Sequence, residues 1–189
     1  MVLLASQAST SGPLAERVRP QTLNDYIGQS HLCGEQGVLS HLLGQDTLPS
    51  IILWGPPGTG KTTLAFIISN TLKRPFAQLS AISSGVKDIR EVIEEAKHTP
   101  GTILFIDEIQ KVHNWSEAIK SLYDQAKKDQ RKITCVLLGS SSLDIQRGLN
   151  ESLTGRFQLL RAYHWNYQES HQGYKLTFDE YLQFGGYPG

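Results

Sequence analysis

Eight consecutive residues, Gly55-Pro56-Pro57-Gly58-Thr59-Gly60-Lys61-Thr62, have the types and spacing of a phosphate-binding loop. They fit G-x-x-x-x-G-K-[ST] in full. The glycines let the backbone curl so that successive N–H groups point at phosphate oxygens. A helix opening near Lys61 adds the positive end of its dipole under the same phosphates. Lys61 is placed to reach the β- and γ-phosphates of a nucleotide, and the Thr62 hydroxyl to ligate Mg²⁺. Thr63 completes the candidate nucleotide-binding set.

A second pair of residues extends this chemistry. Asp107-Glu108 follows the apolar run Ile103-Leu104-Phe105-Ile106 directly, as a Walker B element does. Asp107 is a candidate metal holder. Glu108 is placed to orient and deprotonate an attacking water, which requires a carboxylate near the γ-phosphate. An acidic residue right after the metal aspartate points to water as the acceptor rather than a small molecule. Ser140-Ser141-Ser142 ends a later strand, where a hydroxyl can sense the γ-phosphate, and Ser141 is the choice here. A serine-rich turn is the competing reading. Arg156, in Leu153-Thr154-Gly155-Arg156-Phe157, opens the last strand; alone, it reads as a surface arginine.

The elements that must position these groups alternate. Ile51–Trp54 reads as a buried strand stopped by Gly-Pro-Pro-Gly. Leu64, Ile67, Ile68 and Leu72 then share one helical face. Phe76–Leu79 can be a second strand, and Val86, Ile89, Ile93 and Ala96 mark an amphipathic helix. Ile103–Ile106 is apolar throughout, as a strand covered on both faces must be. Trp115, Ala118, Ile119, Leu122 and Tyr123 stripe a further helix, whose start, Asn114 with Glu117, predicts a capping box. Ile133–Leu138 and Phe157–Leu160 are the fourth and fifth strands. This alternation predicts an α/β three-layer sandwich: a P-loop NTPase core with a five-stranded parallel sheet and helices on both faces. Thr177-Phe178-Asp179-Glu180 predicts a second capping box, and Gly185-Gly186 a helix stop. The organisation expected is a disordered tail over 1–12, the core over 13–163 and a C-terminal extension over 164–189. That extension is read as the start of a missing or truncated helical lid, or as a linker.

Composition narrows the function classes. Lys plus Arg and Asp plus Glu both total 18, so the formal charge is zero. No global electrostatic attraction to nucleic acid or to an anionic membrane follows. Lys127, Lys128, Arg131 and Lys132 form a basic cluster, but Asp124 and Asp129 interleave, as on an ordinary solvated face. DNA binding is therefore only weakly supported. Cys33 and Cys135 lack CxxC spacing, which fits a reducing cytoplasm better than a disulfide framework. No stretch reaches the length of a bilayer span. The six histidines show no ligand spacing, and no metal beyond Mg²⁺ is expected. Trp165 and Tyr167 read as packing for the last strand.

These residues carry a family resemblance. PLAERVRPQTLNDYIGQSHLCG, LPSIILWGPPGTGKTTLA, LSAISSGVKDIREVIEEA and TILFIDEI, within about 13–109, resemble the replication-associated recombination protein A family, relatives of clamp loaders. From about 107 to 189, DEIQKVHNWSEAIKSLYD, VLLGSSSLDIQRGLNESLTGRF and FDEYLQFGGYPG look like a different prokaryotic AAA ATPase family, fused to winged-helix or nuclease-like domains. The halves meet at the Walker B strand that both share. The first resemblance implies that Tyr26-Ile27-Gly28-Gln29 lies beside an adenine, with the backbone reading its edge. Both imply a sensor hydroxyl at Ser141 and an arginine finger at Arg156 acting on a neighbouring subunit, hence a homo-oligomer. The function expected is an AAA+ ATPase core hydrolysing Mg-ATP in DNA replication or recombination maintenance. The alternative is a nucleotide-binding module with little turnover, because lid and partner subunit are lacking.

Overall fold

The computed structural model describes residues 17–45, 48–82, 85–95, 98–130, 133–140 and 153–186. Two short helices, α1 (Ser30–Cys33) and α2 (Val38–Gly44), precede the first strand, β1 (Ile51–Trp54). Then come α3 (Lys61–Leu72), β2 (Phe76–Ser80), α4 (Val86–Glu95) and β3 (Ile103–Asp107). A 3-10 turn over Ile109–Lys111 leads to α5 (Trp115–Lys128) and β4 (Thr134–Gly139). The last strand is β5 (Gln158–Arg161), followed by α6 (Tyr167–Tyr174) and α7 (Phe178–Phe184).

The five strands form one sheet in the order β2-β3-β4-β1-β5, and every pairing is parallel. Register pairs Ile51 with Val136 and with Gln158, and Ile103 with Thr134. The apolar runs alternate between two cores, as the pleat requires. Ile51, Leu53, Ile103, Phe105, Val136 and Leu138 face the layer that holds α2 and α3, where Leu39, Leu64 and Ile68 meet them. Ile52, Trp54, Leu104, Ile106, Cys135 and Leu137 face the opposite layer, where Ile89 and Ile93 of α4 pack with Ile119 and Leu122 of α5. The sheet is thus covered on both sides, and the expected sandwich is the observed one.

Element ends show where local signals held. Thr177 and Glu180 form the expected capping box, with Thr177 Oγ1 accepting from Glu180 N. Asn166 and Glu169 form another at the start of α6. Asn114 does not cap α5: it sits in the left-handed region at φ 51, with no side-chain bond to the first turn. A capping side chain reaches the N3 amide from extended backbone, and Asn114 is not extended. Glu117 instead pairs with Lys120 at 3.9 Å. The fifth strand runs one residue beyond the expected end, to Arg161. Trp165 does not pack on that strand; its indole lies against Gly28 and Gly173, with Tyr174 at 5.4 Å between ring centroids. Tyr167 contacts His171, Phe178 and Tyr181, so it ties α6 to α7. No side chain of α7 is buried. Ala96 and Ser141 lie outside the described residues, as do Arg131 and Lys132.

Among the described residues no helix is long and apolar enough to cross a membrane. Phe105 is the largest fully buried side chain among the described residues, with Phe76 at 5.7 Å and Phe66 at 6.4 Å between ring centroids. Phe105→Ala is expected to lower the unfolding free energy by about 3–5 kcal/mol. Urea denaturation would read this as an earlier midpoint at unchanged slope.

Candidate functional site

The loop after β1 begins as a continuation of the sheet, with Gly55 N donating to Gly139 O at 3.1 Å. It then turns through Gly60 at φ 81, where a Cβ would overlap the Tyr26 hydroxyl. Glycine is required there both by that contact and by the left-handed backbone. Thr59 Oγ1 donates to Pro56 O at 2.9 Å, which closes the loop on itself. α3 starts immediately at Lys61, so the loop feeds a helix N-terminus as its sequence implied.

Lys61 is buried and folds back over the loop. Its Nζ donates to Gly55 O at 2.9 Å and to Pro56 O at 2.6 Å. Burial pulls its pKa below the usual lysine value, while the carboxylates of Glu108 and Asp107 push it back up. Asp107 shows the mirror effect. Burial raises its pKa, and the neighbouring Glu108 amide, Lys61 and the Thr62 hydroxyl act against that rise. The Glu108 amide donates to Asp107 Oδ1 at 3.0 Å. Thr62 and Asp107 therefore share one small space beside a lysine. Hard oxygen donors of this kind fit Mg²⁺, which takes a hydroxyl and one carboxylate and keeps waters elsewhere.

Glu108 leaves β3 in the left-handed region, at φ 54 and ψ 41. Its Oε2 accepts from Ser140 Oγ at 2.8 Å and from Gln110 Nε2 at 2.5 Å. Gln110 Nε2 also donates to Ser140 Oγ at 2.9 Å. Ser140 is the first residue past β4, whose last pairing joins Gly139 to Trp54. Ser140, the residue before the expected Ser141, makes this contact. The strand end alone could have favoured Ser140, but its exact position is not visible in three adjacent serines.

Tyr26 is committed to the loop: its hydroxyl donates to Thr59 O at 3.0 Å. Burial raises its pKa well above the usual tyrosine value, so it stays a donor. Ile27 is exposed, near Gly173 of α6. Gln29, which the resemblance places beside the adenine, is fully buried. Its amide brackets the peptide of Tyr163, donating to Tyr163 O and accepting from Tyr163 N at 2.9 Å. That pairing ties the segment around Tyr26 to the chain just beyond β5.

Arg156 is not brought to this loop. Its Nε donates to Asp124 Oδ1 at 2.7 Å and its Nη2 to Asp124 Oδ2 at 2.8 Å, a bidentate pair at the surface of α5. Hydrogen bonds from Arg156 hold the Asp124 carboxyl below its usual value. The cysteines stand apart as unreactive thiols, with burial pushing both Cys33 and Cys135 up to about 12. His31 bonds Arg161 O and packs on the Tyr163 ring, a structural use.

Residues 48–171 match a family model described as AAA domain, which crosses the expected junction near residue 109. Replication-associated recombination protein A of Coxiella burnetii is 42% identical over 146 residues, covering 76% of this chain and 32% of that protein. ATPase WRNIP1 of Dictyostelium discoideum is 45% identical over 111 residues, 57% of this chain and 13% of that protein. Among solved structures, the Thermotoga maritima RuvB Holliday junction branch migration motor is similar with a TM-score of 0.65 and 26% identity. That likeness covers 82% of this chain and 52% of the other. The chain spans about a third of the length of the recombination proteins it matches. The Coxiella alignment, at 146 residues, is longer than the stretch 13–109 on which the first resemblance rested.

Tyr26→Phe keeps the ring and removes the bond to Thr59. It is expected to lower the unfolding free energy by about 0.5–1.5 kcal/mol, read from urea denaturation. No change would mean that the hydroxyl does not brace the loop.

Proposed function

The chain belongs to the AAA domain family, and on that footing we propose that it binds ATP with Mg²⁺ and hydrolyses it to ADP and phosphate. The observation that carries this reading is the meeting of Lys61, Thr62, Asp107 and Glu108 at the ends of β1 and β3. Gly55–Thr63 would receive the phosphates, with loop amides and the α3 N-terminus opposing their charge. Lys61 would exchange its bonds to Gly55 O and Pro56 O for phosphate oxygens. Thr62 and Asp107 would hold Mg²⁺, which supplies charge neutralisation on the transferring phosphoryl group. Glu108 would take a proton from water as the water oxygen bonds the γ-phosphorus and the bridging P–O bond to ADP breaks. The adenine would lie near Tyr26 and Ile27. Tyr26 contributes there mainly by bracing the loop, because its hydroxyl is on Thr59. Ser141 remains a candidate sensor on its sequence position alone.

Arg156 would act on the ATP of a neighbouring copy, which makes a homo-oligomer the expected working form. Fingers of this kind supply about 10³–10⁵ in rate. The relatives' names support a role in DNA replication or recombination maintenance, and the spacing of the two cysteines supports a cytoplasmic setting. Direct DNA contact has no further support here than the mixed-charge end of α5. One observation favours the second reading, a module that binds ATP and scarcely turns it over: Arg156 is held by Asp124 within its own subunit.

Steady-state hydrolysis and nucleotide binding across protein concentration separate the two readings. The expected result is turnover per subunit that rises with concentration. Lys61→Ala should lose binding, while Glu108→Gln binds normally and loses at least about a hundredfold in kcat. Arg156→Ala should bind as the parent does and lose the concentration dependence. A parent that binds ATP but turns over no faster than Glu108→Gln would establish the second reading. Absence of binding by the parent would defeat both.

A further inference from the structure

Gln110 has no role in the chemistry described so far, yet its side chain is directed at the proposed water-activating group. Nε2 donates both to Glu108 Oε2 and to Ser140 Oγ, and Ser140 Oγ donates to the same Oε2. The three side chains form a closed triangle spanning β3, the 3-10 turn and the end of β4. We propose that Gln110 is a positioning residue for ATP hydrolysis, fixing the Glu108 carboxylate so that Oε1 is the oxygen presented to water. The inference rests on the ATPase reading above.

Packing alone does not account for a glutamine here. Once Nε2 is turned to Glu108 and Ser140, Gln110 Oε1 is buried without a partner among the described residues. An unpaired buried acceptor destabilises a fold, and an apolar side chain of equal size would not incur that cost. Nor does the backbone come free. Glu108 is a non-glycine residue in the left-handed region, a conformation retained where the surroundings over-determine it. Ile109, fully buried in the core under α4 and α5, fixes the turn that follows. Lys111 N donates to Glu108 O at 2.8 Å, which closes that turn and swings Gln110 back over Glu108. A strained Glu108 and an orphaned Gln110 oxygen are thus two costs with one product: a carboxylate with one oxygen doubly bonded by donors and the other left for proton transfer. Both bonds are also side chain to side chain, so a single substitution can remove Gln110's part without touching the main chain.

The test compares the full chain with Gln110→Met, Ser140→Ala, Glu108→Gln and the Gln110→Met/Glu108→Gln double variant. Each is measured for affinity to a non-hydrolysable ATP analogue with Mg²⁺, for kcat and for melting temperature. Gln110→Met is expected to keep nucleotide affinity within about twofold and to melt at or above the parent temperature. Its kcat should fall about 10- to 100-fold. In the Glu108→Gln background the same change should have no further effect, because its action runs through Glu108. Should Gln110→Met fail to fold, Gln110→Leu carries the same expectation. A kcat equal to that of an active parent overturns the inference and leaves the ATPase reading standing. A loss of kcat matched by an equal loss of nucleotide affinity, or by a lower melting temperature, assigns Gln110 to structure and overturns it too. A parent no faster than Glu108→Gln overturns the ATPase reading and this inference together.

Discussion

Insertion of β4 between β3 and β1 is the constraint on which the rest of the site depends. Adjacent strands lie about 4.8 Å apart, so β1 and β3 end about 10 Å from one another across the β4 tip. That gap separates the loop that holds Lys61 from the strand end that holds Asp107 and Glu108. The ladder does not stop at the formal strand ends. Gly55 N still bonds Gly139 O, and Ala81 N bonds Asp107 O. Main-chain bonds thus tie the β1 tip to β4 and the β3 tip to the end of β2 before any side chain contributes. Ser140, on the middle tip, forms the floor on which Glu108 can be held. In parallel α/β sheets the ligand crevice lies outside the carboxyl ends of the strands, and here the strand order decides which residues meet in it.

The same arrangement places charge where the protein alone does not fully compensate it. Lys61 and Asp107 each have a pKa displaced toward the neutral form by burial. The displacements have opposite sign, and each group partly restores the other. Carbonyls of Gly55 and Pro56 serve as substitute acceptors for the ammonium. An anionic phosphate would satisfy Lys61 better than two neutral carbonyls, and a divalent cation would satisfy Asp107 better than an amide and a hydroxyl. Polar groups poised this way cost stability in the free fold and gain partners on binding, as functional sites commonly do. The apolar layers beneath, with Ile106, Leu137 and Phe105 at or near zero exposure, supply the stability that makes the arrangement tolerable.

How much of this was legible in the sequence depends on the range of each interaction. Three of the five strands, β1, β3 and β4, have few polar residues, because both faces of the sheet are covered there, and their apolar runs marked them out. The phosphate loop was legible because its residues are contiguous. Glu108 was legible because it follows a strand end. Strand order was not, and the pairs that depend on it could not be read: Gln29 with Tyr163, Gln110 with Ser140, Asp124 with Arg156. Each joins residues far apart in the chain. Local patterns also failed where one dihedral decides the outcome. Asn114 and Asn166 are both followed three residues later by glutamate, yet only Asn166 caps its helix. Asn166 is extended at φ −77 and ψ 174, whereas Asn114 is left-handed. The residue pattern is identical, and the path by which the chain enters the helix differs.

Asp124 changes how Arg156 must be understood, whichever functional reading holds. A free arginine at the surface samples many rotamers and loses that freedom when it engages a phosphate. Two bonds to one carboxylate fix the guanidinium plane in advance. The pair is solvent-exposed, and such pairs contribute little net stability, so it orients the side chain without locking it. An arriving subunit that offered a nucleotide phosphate would present a more highly charged acceptor of similar geometry. Exchange of carboxylate for phosphate would then conserve both hydrogen bonds of the planar fork, which a lysine in the same place could not do. On this view the intramolecular pair and the proposed trans contact are alternative partners of one preorganised group.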